Sequence, residues 1–213
     1  MSRTLNFDKL ARPYRWLEYA TFGRALERCR FHFLPQLKDA RRALVFGDGD
    51  GRFLAQLLKA NPQLHADVVD ISPAMLRLLK ARLTPEARGR ITMHPADARE
   101  FAPPKADYDL VVTHFFFDCL FQAELDKLFD RVAPRLRPGA FWVVSEFSQM
   151  QGSFSIWVGK AVVSSLYSAF GVLTGLRVRS LPDHHVAFKS HGFRLAEEKQ
   201  WLRGLLVSQL WQP

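Results

Sequence analysis

Three glycines at alternate positions and a later aspartate are the residues whose types and spacing most clearly indicate ligand chemistry. Gly47, Gly49 and Gly51 follow a short apolar run, and Asp70 ends the next such run, 19 residues after Gly51. Glycine lets the backbone pass close to a ligand because no Cβ intervenes, and the amides of a following helix start favour a negatively charged group. A carboxylate at Asp70 can accept hydrogen bonds from both hydroxyls of a ribose. The pair predicts a nucleotide-like ligand.

The spacing of the glycines discriminates between nucleotide ligands. A dinucleotide fingerprint is GxGxxG, whereas here GxGxG is followed by Arg52 and Phe53, which disfavours a pyrophosphate. The chain also lacks a Tyr-x-x-x-Lys pair, since Tyr167 is followed by Gly171. An NAD-dependent oxidoreductase is therefore the weaker enzyme hypothesis.

Polar residues after two later strands are the acid–base candidates. His114 and Asp118 follow one apolar run, and Glu146 follows another. Because the ligand crevice of a parallel sheet lies beyond the carboxyl ends of its strands, these side chains belong near the ligand. His114 or Asp118 is a candidate general base; the alternatives are ligand or backbone packing for His114 and a helix cap for Asp118. His184 and His185 lack a third ligand at suitable spacing, so no metal site is expected.

Short apolar runs and helical stripes alternate along the chain. Ser72 and Pro73 suit the cap and first turn of a helix, and the sequence before Pro62 suits a helix end. The order indicates an α/β fold with a parallel sheet covered on both faces. The predicted strands are 43–46, 66–70, 91–94, 108–113 and 141–145, with a turn at 137–139 and two last strands at 193–197 and 205–211 around Arg203 and Gly204.

Two further segments read as helical. Residues 8–34 carry apolar side chains at helical spacing, and Pro35 is expected to stop them. Residues 156–176 are mostly apolar but contain Lys160 and three glycines, which favours a helix over the sheet rather than a membrane span. The predicted organisation is an N-terminal helical cap at 1–40 and a main domain at 41–213 with a helical insertion at about 150–190.

Composition bounds the class of protein. The chain has 213 residues, 48% of them hydrophobic, which suits one substantial core. The two cysteines, Cys29 and Cys119, match no metal or disulfide pattern, and the first residues carry no secretory signal, so a cytoplasmic protein is expected. A net charge of +9 is dispersed along the chain, which indicates solvated helix faces and disfavours nucleic acid. A lipid- or RNA-associated module, with peripheral membrane contact, stays open as a non-enzymatic alternative.

The motifs together resemble the class I S-adenosylmethionine-dependent methyltransferases, in the branch that includes small-molecule and quinone C-methyltransferases. The resemblance implies a Rossmann-like seven-stranded, mostly parallel sheet with helices on both faces and an antiparallel C-terminal strand. It implies S-adenosylmethionine as cofactor and leaves the methyl acceptor unspecified. The matching pieces, in order, are residues 44–51, 69–76, 96–98, 108–112 and 136–140.

The resemblance also implies roles for individual residues. Gly47, Gly49 and Gly51 would line the methionine and ribose portion, and Asp70 would hold the ribose hydroxyls. Ile71 and Met75 would flank the adenine, and Asp97 would accept a hydrogen bond from the adenine amino group, beside the Ala98 amide. The purely structural alternatives are that Asp70 and Asp97 cap turns and that Met75 packs in the core. From its position after a strand, and not from the resemblance, His114 is a further candidate for cofactor contact. The family often has an acidic residue where this chain has Val45, so the methionine end is left without that contact or is held by Asp48 or the N-terminal helix.

Aromatic side chains near the predicted crevice suggest a small apolar or aromatic acceptor. Methyl transfer from a sulfonium is an in-line displacement, so positioning and desolvation matter more than a base. The alternative for these aromatics is ordinary core packing. They are Phe115, Phe116, Phe117, Phe154, Trp157 and Tyr167, with Tyr14 and Trp16 on the other side.

Overall fold

A computed structural model describes residues 24–148 and 182–213. Their strands form a seven-stranded sheet in the order β3-β2-β1-β4-β5-β7-β6. The strands are β1 (Arg42–Phe46), β2 (His65–Asp70), β3 (Ile91–Pro95), β4 (Tyr108–His114), β5 (Leu136–Phe147), β6 (Arg194–Trp201) and β7 (Leu206–Gln212). The helices are α1 (Ala25–Phe31), α2 (Arg52–Ala60), α3 (Pro73–Arg82), α4 (Pro85–Arg88), α5 (Gln122–Val132) and α6 (His184–Ser190).

The first five strands pair in parallel, and β7 runs antiparallel to both β5 and β6. The expected sheet, mostly parallel with an antiparallel strand near the C-terminus, is confirmed. The strand order reverses between β1 and β4, and in such sheets the ligand crevice opens outside the carboxyl ends of the strands at that point. The turns after β1, β2 and β4, together with the end of β5, therefore form the described part of the candidate site.

The sheet separates two hydrophobic cores, because successive residues of a strand point to opposite faces. On one face Val45, Val112 and Val143 pack with the apolar side of α2. On the other face Val111 and Trp142 pack with α5 and α6, and the Phe188 ring stacks on Trp211 at 4.3 Å. Strands buried on both faces explain the continuous apolar runs of the sequence.

Local signals set the helix ends around the site. The Ser72 hydroxyl accepts a hydrogen bond from the Met75 amide, and Pro73 occupies the first turn of α3, as the sequence predicted. The α2 helix ends at Ala60, immediately before Asn61 and Pro62. The chain is thereby turned at the carboxyl ends of β1 and β2.

Two local predictions were wrong. Pro35 does not stop the first helix: α1 ends at Phe31, and Pro35 lies inside a 3₁₀ turn at Leu34–Leu37, because proline suits the first residues of a helical turn. Residues 137–139 are not a turn before a strand but part of β5, where the pairing with β4 shifts register between Tyr108 and Leu110. Gly139, with φ of 77°, accommodates that irregularity.

Hydrogen bonds of Cys29, through its carbonyl and its thiol, hold the α1 helix on the sheet. Ser208 and Ser145 donate hydrogen bonds to the Cys29 carbonyl at 2.7 and 3.2 Å, and the Cys29 thiol donates to the Val207 carbonyl. The described end of the predicted N-terminal cap thus packs on β5 and β7. Residues 1–23 and 149–181 lie outside the described residues, so the cap and the insertion as whole units stay predictions.

Gly51 is required by packing as well as by conformation. Its φ is 78°, and an added Cβ would lie 2.6 Å from Leu79 Cγ and 2.8 Å from Leu79 Cα. Gly51→Ala should lower the free energy of unfolding by about 3 kcal/mol, since about 1 kcal/mol of backbone strain is joined by overpacking against α3.

Gly139→Ala is the matched control, because φ there is 77° and no atom lies within 4 Å of an added Cβ. It should lose only about 1 kcal/mol. Urea denaturation of the two variants measures the difference, and equal losses would contradict the close packing of the turn against α3.

Candidate active site

The glycine turn lies beside Asp70 at the carboxyl edge of the sheet. Phe46 pairs with Val69, and the Gly47 amide then donates to the Val69 carbonyl at 3.0 Å, which extends the β1–β2 ladder into the turn. Asp70 is the next residue of β2. The two features that the sequence paired are therefore neighbours in space.

The three glycines of the turn serve different physical needs, although all have positive φ. An added Cβ at Gly47 would lie 2.7 Å from Phe116 Cδ2, whereas at Gly49 it would meet no atom of residues 24–148 or 182–213 within 4 Å. Gly51 caps α2 against α3. Of the three glycines, Gly49 thus has open space beside its backbone in the described part of the chain, where a ligand can approach closely.

The turn is held by its acidic residues. The Asp50 carboxylate pairs with Arg52 at 2.9 Å and with Arg82 at 2.6 Å, which ties the turn to α3. Asp48 Oδ2 accepts a hydrogen bond from the Leu54 amide at 3.0 Å. These bonds fix the path of the backbone around Gly49.

Asp48 Oδ1 is buried and has no hydrogen-bond partner in the described part of the chain. Burial raises the pKa of the Asp48 carboxyl to about 7, because the charged form is poorly solvated there. An unpaired buried carboxyl oxygen is costly. A positively charged group bound at this point would satisfy it, and the ammonium of a methionine moiety has that chemistry.

Asp70 has one oxygen engaged and one available. Its Oδ1 accepts a hydrogen bond from the Ser72 amide at 2.8 Å, which is the turn-capping role named as the alternative, and no described residue donates to Oδ2. Burial raises the pKa of the Asp70 carboxyl to about 6. Capping uses only part of the carboxylate, so a ribose contact is compatible with it.

The predicted adenine contacts follow β2 and β3. Ile71 is 40% exposed, which is unusual for its type, and Met75 is half-buried in the first turn of α3. Asp97 is bound by the Arg99 guanidinium through both oxygens and accepts from the Arg99 amide; these bonds hold the pKa of Asp97 below its usual range. Ala98 is buried, and its carbonyl accepts from Arg131. An adenine amino group would have to share Asp97 with Arg99.

The two acid–base candidates lie on opposite faces of the sheet. His114 has the strand parity of Val112 and packs edge-on against Phe53 of α2 at 4.3 Å. Asp118 follows Phe117, which packs in the core on the other face. His114 and Asp118 therefore remain separate candidates for the base.

His114 is neutral and enclosed. It is 4% exposed, and both ring nitrogens lack a hydrogen-bond partner among the described residues. Burial, and secondarily the positive charge of Arg30, lower the pKa of His114 well below its usual range. Its packing against α2 fits the alternative of ligand-side packing better than a solvent-linked base.

Glu146 is the residue whose importance the sequence understated. It is 2% exposed, and its Oε1 accepts hydrogen bonds from the Phe116 and Phe117 amides, each at 2.8 Å. Burial, followed by the charge of Asp118, raises the pKa of Glu146 well above its usual range. Its place at the end of β5 was visible in the sequence, but its burial and the two amide bonds were not.

Phenylalanines line the turn after β4. Phe116 stacks on Phe46 with ring centroids 5.8 Å apart, and Phe115 lies 5.4 Å from Phe147. Phe117 is fully buried among core rings, so for this residue the core-packing alternative is confirmed. The other aromatics proposed for the pocket, Phe154, Trp157, Tyr167, Tyr14 and Trp16, lie outside the described residues.

Within residues 24–148 and 182–213, no group of three or more histidine, cysteine or acidic side chains could hold a metal ion. In the same residues, no helix combines the length and apolar character that a bilayer crossing needs. The apolar segment 156–176 is outside the part of the chain that the structure describes.

Comparison with known proteins identifies the central part of the chain. Residues 44–142, which run from β1 into β5, match the methyltransferase domain family. This part of the chain is similar to methyltransferase domains. The match contains the glycine turn, Asp70 and the turn after β4, and it confirms the class I methyltransferase resemblance of the motifs.

The curated relatives of this chain include aminopropyltransferases and an O-methyltransferase. Polyamine aminopropyltransferase 2 of Bacillus cereus is 30% identical over 137 residues, which cover 58% of this chain and 37% of that protein. Malonyl-acyl-carrier-protein O-methyltransferase 2 of Ilyobacter polytropus is 28% identical over 146 residues, which cover 68% of this chain and 53% of that protein. This chain therefore matches only about a third to a half of the length of these relatives.

A solved structure gives the same architecture. Human N-acetylserotonin methyltransferase, in complex with SAM, has a TM-score of 0.63 at 16% identity, over 96% of this chain and 55% of that one. Likeness at this identity establishes a shared fold around the methyltransferase domain.

The titration of Asp48 gives a test of the site that needs no ligand. Because the folded pKa is raised to about 7 from an ordinary value of 3.8, the folded state holds a proton that the unfolded state has lost. The stability contributed by Asp48 is complete below about pH 4 and is lost as the pH rises through 7. Relative to wild type, Asp48→Asn should therefore gain roughly 2–4 kcal/mol between pH 4.5 and 8.

Urea denaturation at several pH values measures this difference. Exposed Asp39→Asn is the control for removal of one negative charge. If the difference between wild type and Asp48→Asn is flat across this range, Asp48 is not the buried, unpaired carboxyl described above.

Proposed function

We propose that the protein is an S-adenosylmethionine-dependent methyltransferase that transfers a methyl group to a small apolar or aromatic acceptor. The observation that carries the proposal is the meeting of three features at one edge of a methyltransferase domain. These are the open backbone at Gly49, the available oxygen of Asp70 and the unpaired buried oxygen of Asp48. Bound S-adenosylmethionine would supply an electrophilic methyl group on its sulfonium.

Each residue at this edge has a defined part in holding the cofactor. Asp70 Oδ2 accepts from the ribose hydroxyls, while its Oδ1 keeps the Ser72 amide. Asp48 Oδ1 accepts from the ammonium of the methionine moiety and replaces the acid that Val45 does not provide. Val45 is fully buried in the core between β1 and α2, which supports this exchange of roles. Ile71, Met75, Asp97 and the Ala98 amide remain the proposed adenine contacts.

Transfer of the methyl group depends on the position of the acceptor atom and on the exclusion of water from the site. An in-line displacement requires the acceptor atom to lie opposite the leaving sulfur, and enclosure removes competing water. On the acceptor side, Asp118 is the proposed base where the acceptor must lose a proton. His114, enclosed on the opposite face against Phe53, is proposed to pack at the cofactor rather than to move a proton.

The partner supported by the site is a small molecule. Phe115 and Phe116, partly exposed at the turn after β4, give the crevice an apolar wall, and one similar fold belongs to an N-acetylserotonin methyltransferase. Cys29 and Cys119 are both unpaired thiols, which is compatible with the cytoplasmic location proposed from the sequence.

Aminopropyl transfer to a polyamine is the second candidate. It is supported by the 30% identity to polyamine aminopropyltransferase 2 and by the acidic groups Asp70, Asp118 and Glu146, whose charges add to burial in raising the pKa of the Cys119 thiol. The donor would then be decarboxylated S-adenosylmethionine, whose sulfonium carries the aminopropyl group and leaves as the thioether methylthioadenosine. Mass spectrometry of products from spermidine with this donor, and from aromatic acceptors with S-adenosylmethionine, separates the candidates, because a methyl and an aminopropyl group add different masses.

Calorimetry with S-adenosylmethionine and S-adenosylhomocysteine tests cofactor binding. Both should bind the wild-type protein, and Asp70→Asn should weaken both by about tenfold to a hundredfold, since hydrogen bonds to a carboxylate are lost. Asp39→Asn, which removes an exposed carboxylate, should leave both affinities unchanged.

The contrary result is equally clear. Absence of heat and of any thermal shift with either compound, together with binding of a nicotinamide nucleotide, would end the methyltransferase proposal and favour the oxidoreductase alternative.

A further inference from the structure

Glu146 has one oxygen occupied and one oxygen without a partner. The amides of Phe116 and Phe117 converge on Oε1, each at 2.8 Å. Oε2 is buried and has no hydrogen-bond partner among the described residues. The side chain therefore holds the turn after β4 with one oxygen, while the other is buried at the carboxyl end of β5. The backbone of Phe147 also hydrogen-bonds to the carboxyl and, like the Phe116 and Phe117 amides, lowers its pKa.

The arrangement decides where a proton on this carboxyl group must reside. A protonated carboxyl has one hydroxyl and one carbonyl oxygen, and the oxygen that accepts two N–H groups is the carbonyl. The proton therefore belongs on Oε2. Burial and the nearby Asp118 charge raise the pKa of Glu146 well above its usual range, which favours the protonated form.

The turn that Glu146 holds is also strained. Phe115, a residue with a Cβ, has φ of 52°, a conformation that non-glycine residues rarely adopt. Its amide donates to the Ser145 carbonyl at 2.6 Å, immediately before the two amides bound by Glu146. Strain of this kind persists where the surroundings enforce it, commonly at functional sites.

The charges around this point restrict what Oε2 can meet. Burial, followed by the charges of Asp118, Glu146 and Asp70, raises the pKa of the Cys119 thiol, and the Arg30 guanidinium lies 5.4 Å from the Phe115 ring centroid. Groups of both signs therefore lie near this point, and burial disfavours the charged form of a group held there. The rings of Phe115 and Phe116 supply apolar surface beside it. A hydroxyl donor in such surroundings is matched by an uncharged oxygen with free lone pairs.

We propose that Glu146 donates a hydrogen bond from Oε2 to a carbonyl oxygen of the methyl acceptor, and thereby selects carbonyl-bearing aromatic acceptors over hydrocarbons of the same shape. This inference rests on the proposed function and names the substrate class of the same site. Glu146 is then a specificity-determining residue that also positions the turn after β4.

Matched probes test the selection without knowledge of the natural acceptor. α-Tetralone and tetralin share a fused ring skeleton and differ in one carbonyl group. With the full chain saturated with S-adenosylhomocysteine at pH 6, α-tetralone should bind about tenfold more tightly than tetralin, as one buried hydrogen bond provides. Ligand-observed NMR gives both affinities, and the infrared carbonyl band of bound α-tetralone should move to lower wavenumber.

Glu146→Gln separates hydrogen-bond donation from the mere holding of the turn. The amide oxygen can accept both backbone N–H groups while the amide nitrogen still donates. The preference for α-tetralone should therefore survive in this variant and be independent of pH. In the wild type it should fall as rising pH removes the Glu146 proton, because a carboxylate repels the carbonyl oxygen.

Other titratable groups near Glu146 come from three elements of the described part of the chain. The 117–119 turn brings Asp118 and Cys119, and α1 brings Cys29, with Arg30 over the Phe115 ring at 5.4 Å. The neighbouring β7 has no titratable residue. The Glu146→Gln variant keeps all of them. A pH dependence that persists in that variant would assign the titration to one of these groups and overturn the proposal.

Further variants complete the test. Glu146→Leu should abolish the preference, and Glu100→Gln, at an exposed position, should preserve it. Equal binding of α-tetralone and tetralin to the wild type would contradict the proposal, as would tighter binding of aminotetralin, which would indicate a cationic acceptor. If Glu146→Leu does not fold, the pH profiles of wild type and Glu146→Gln still decide.

Failure of this inference is distinguishable from failure of the proposed function. If S-adenosylhomocysteine binds the wild type and Glu146→Gln equally by calorimetry but the carbonyl preference is absent, only the role of Glu146 is wrong. If S-adenosylhomocysteine does not bind the wild type, the methyltransferase proposal itself fails.

Discussion

The hydrogen bond from the Gly47 amide to the Val69 carbonyl is the contact on which the site depends. It continues the parallel pairing of β1 and β2 one residue past the end of β1, so the glycine turn begins alongside Asp70. The proposed cofactor contacts at residues 47–51 and at Asp70 depend on this alignment. Gly51 against Leu79, and Asp50 against Arg82, then hold the far end of the turn on α3. The turn is thus fixed at both ends, and Gly49 faces open space between them.

Because successive strand residues point to opposite faces of the sheet, the buried titratable groups of the site lie on both faces. His114 faces the α2 layer with Asp48 and Arg30 nearby, as the influence of Arg30 on both pKa values indicates. Glu146 and Asp118 belong to the α5 layer. Carboxyls on the two sides are each buried and partly unpaired, with raised pKa values for Asp48 and Glu146. Burial of the Asp48 and Glu146 carboxyls without full hydrogen bonding costs free energy. Binding of a cofactor ammonium at Asp48 and of an acceptor carbonyl at Glu146 would offset that cost.

Sequence patterns predicted the sheet and the glycine turn because these depend on local signals. The apolar run of β1, the Ser72 cap and the stop before Pro62 each act over a few residues. The pairing of the turn with Asp70 followed from parallel topology alone. The predictions for 137–139 and Pro35 were wrong because register with β4 and packing of α1, both long-range, decided the outcome. The face on which His114 lies was readable from strand parity, since His114 lies two residues after Val112, whereas the position of Asp118 beyond the end of β4 was not. The burial of Glu146 depends on tertiary contacts and had no local signal. The binding of Asp97 by Arg99 is a local contact, since the two residues are two apart in the chain, and the sequence analysis did not consider it.

A crystal structure with S-adenosylhomocysteine bound tests the central claim most directly. The account predicts Asp70 Oδ2 at about 3 Å from a ribose hydroxyl and Asp48 Oδ1 at about 3 Å from the amino nitrogen of the same molecule. An adenosine moiety bound away from Asp70, or a crevice in which side chains fill the space between Asp70 and residues 47–51, would contradict it.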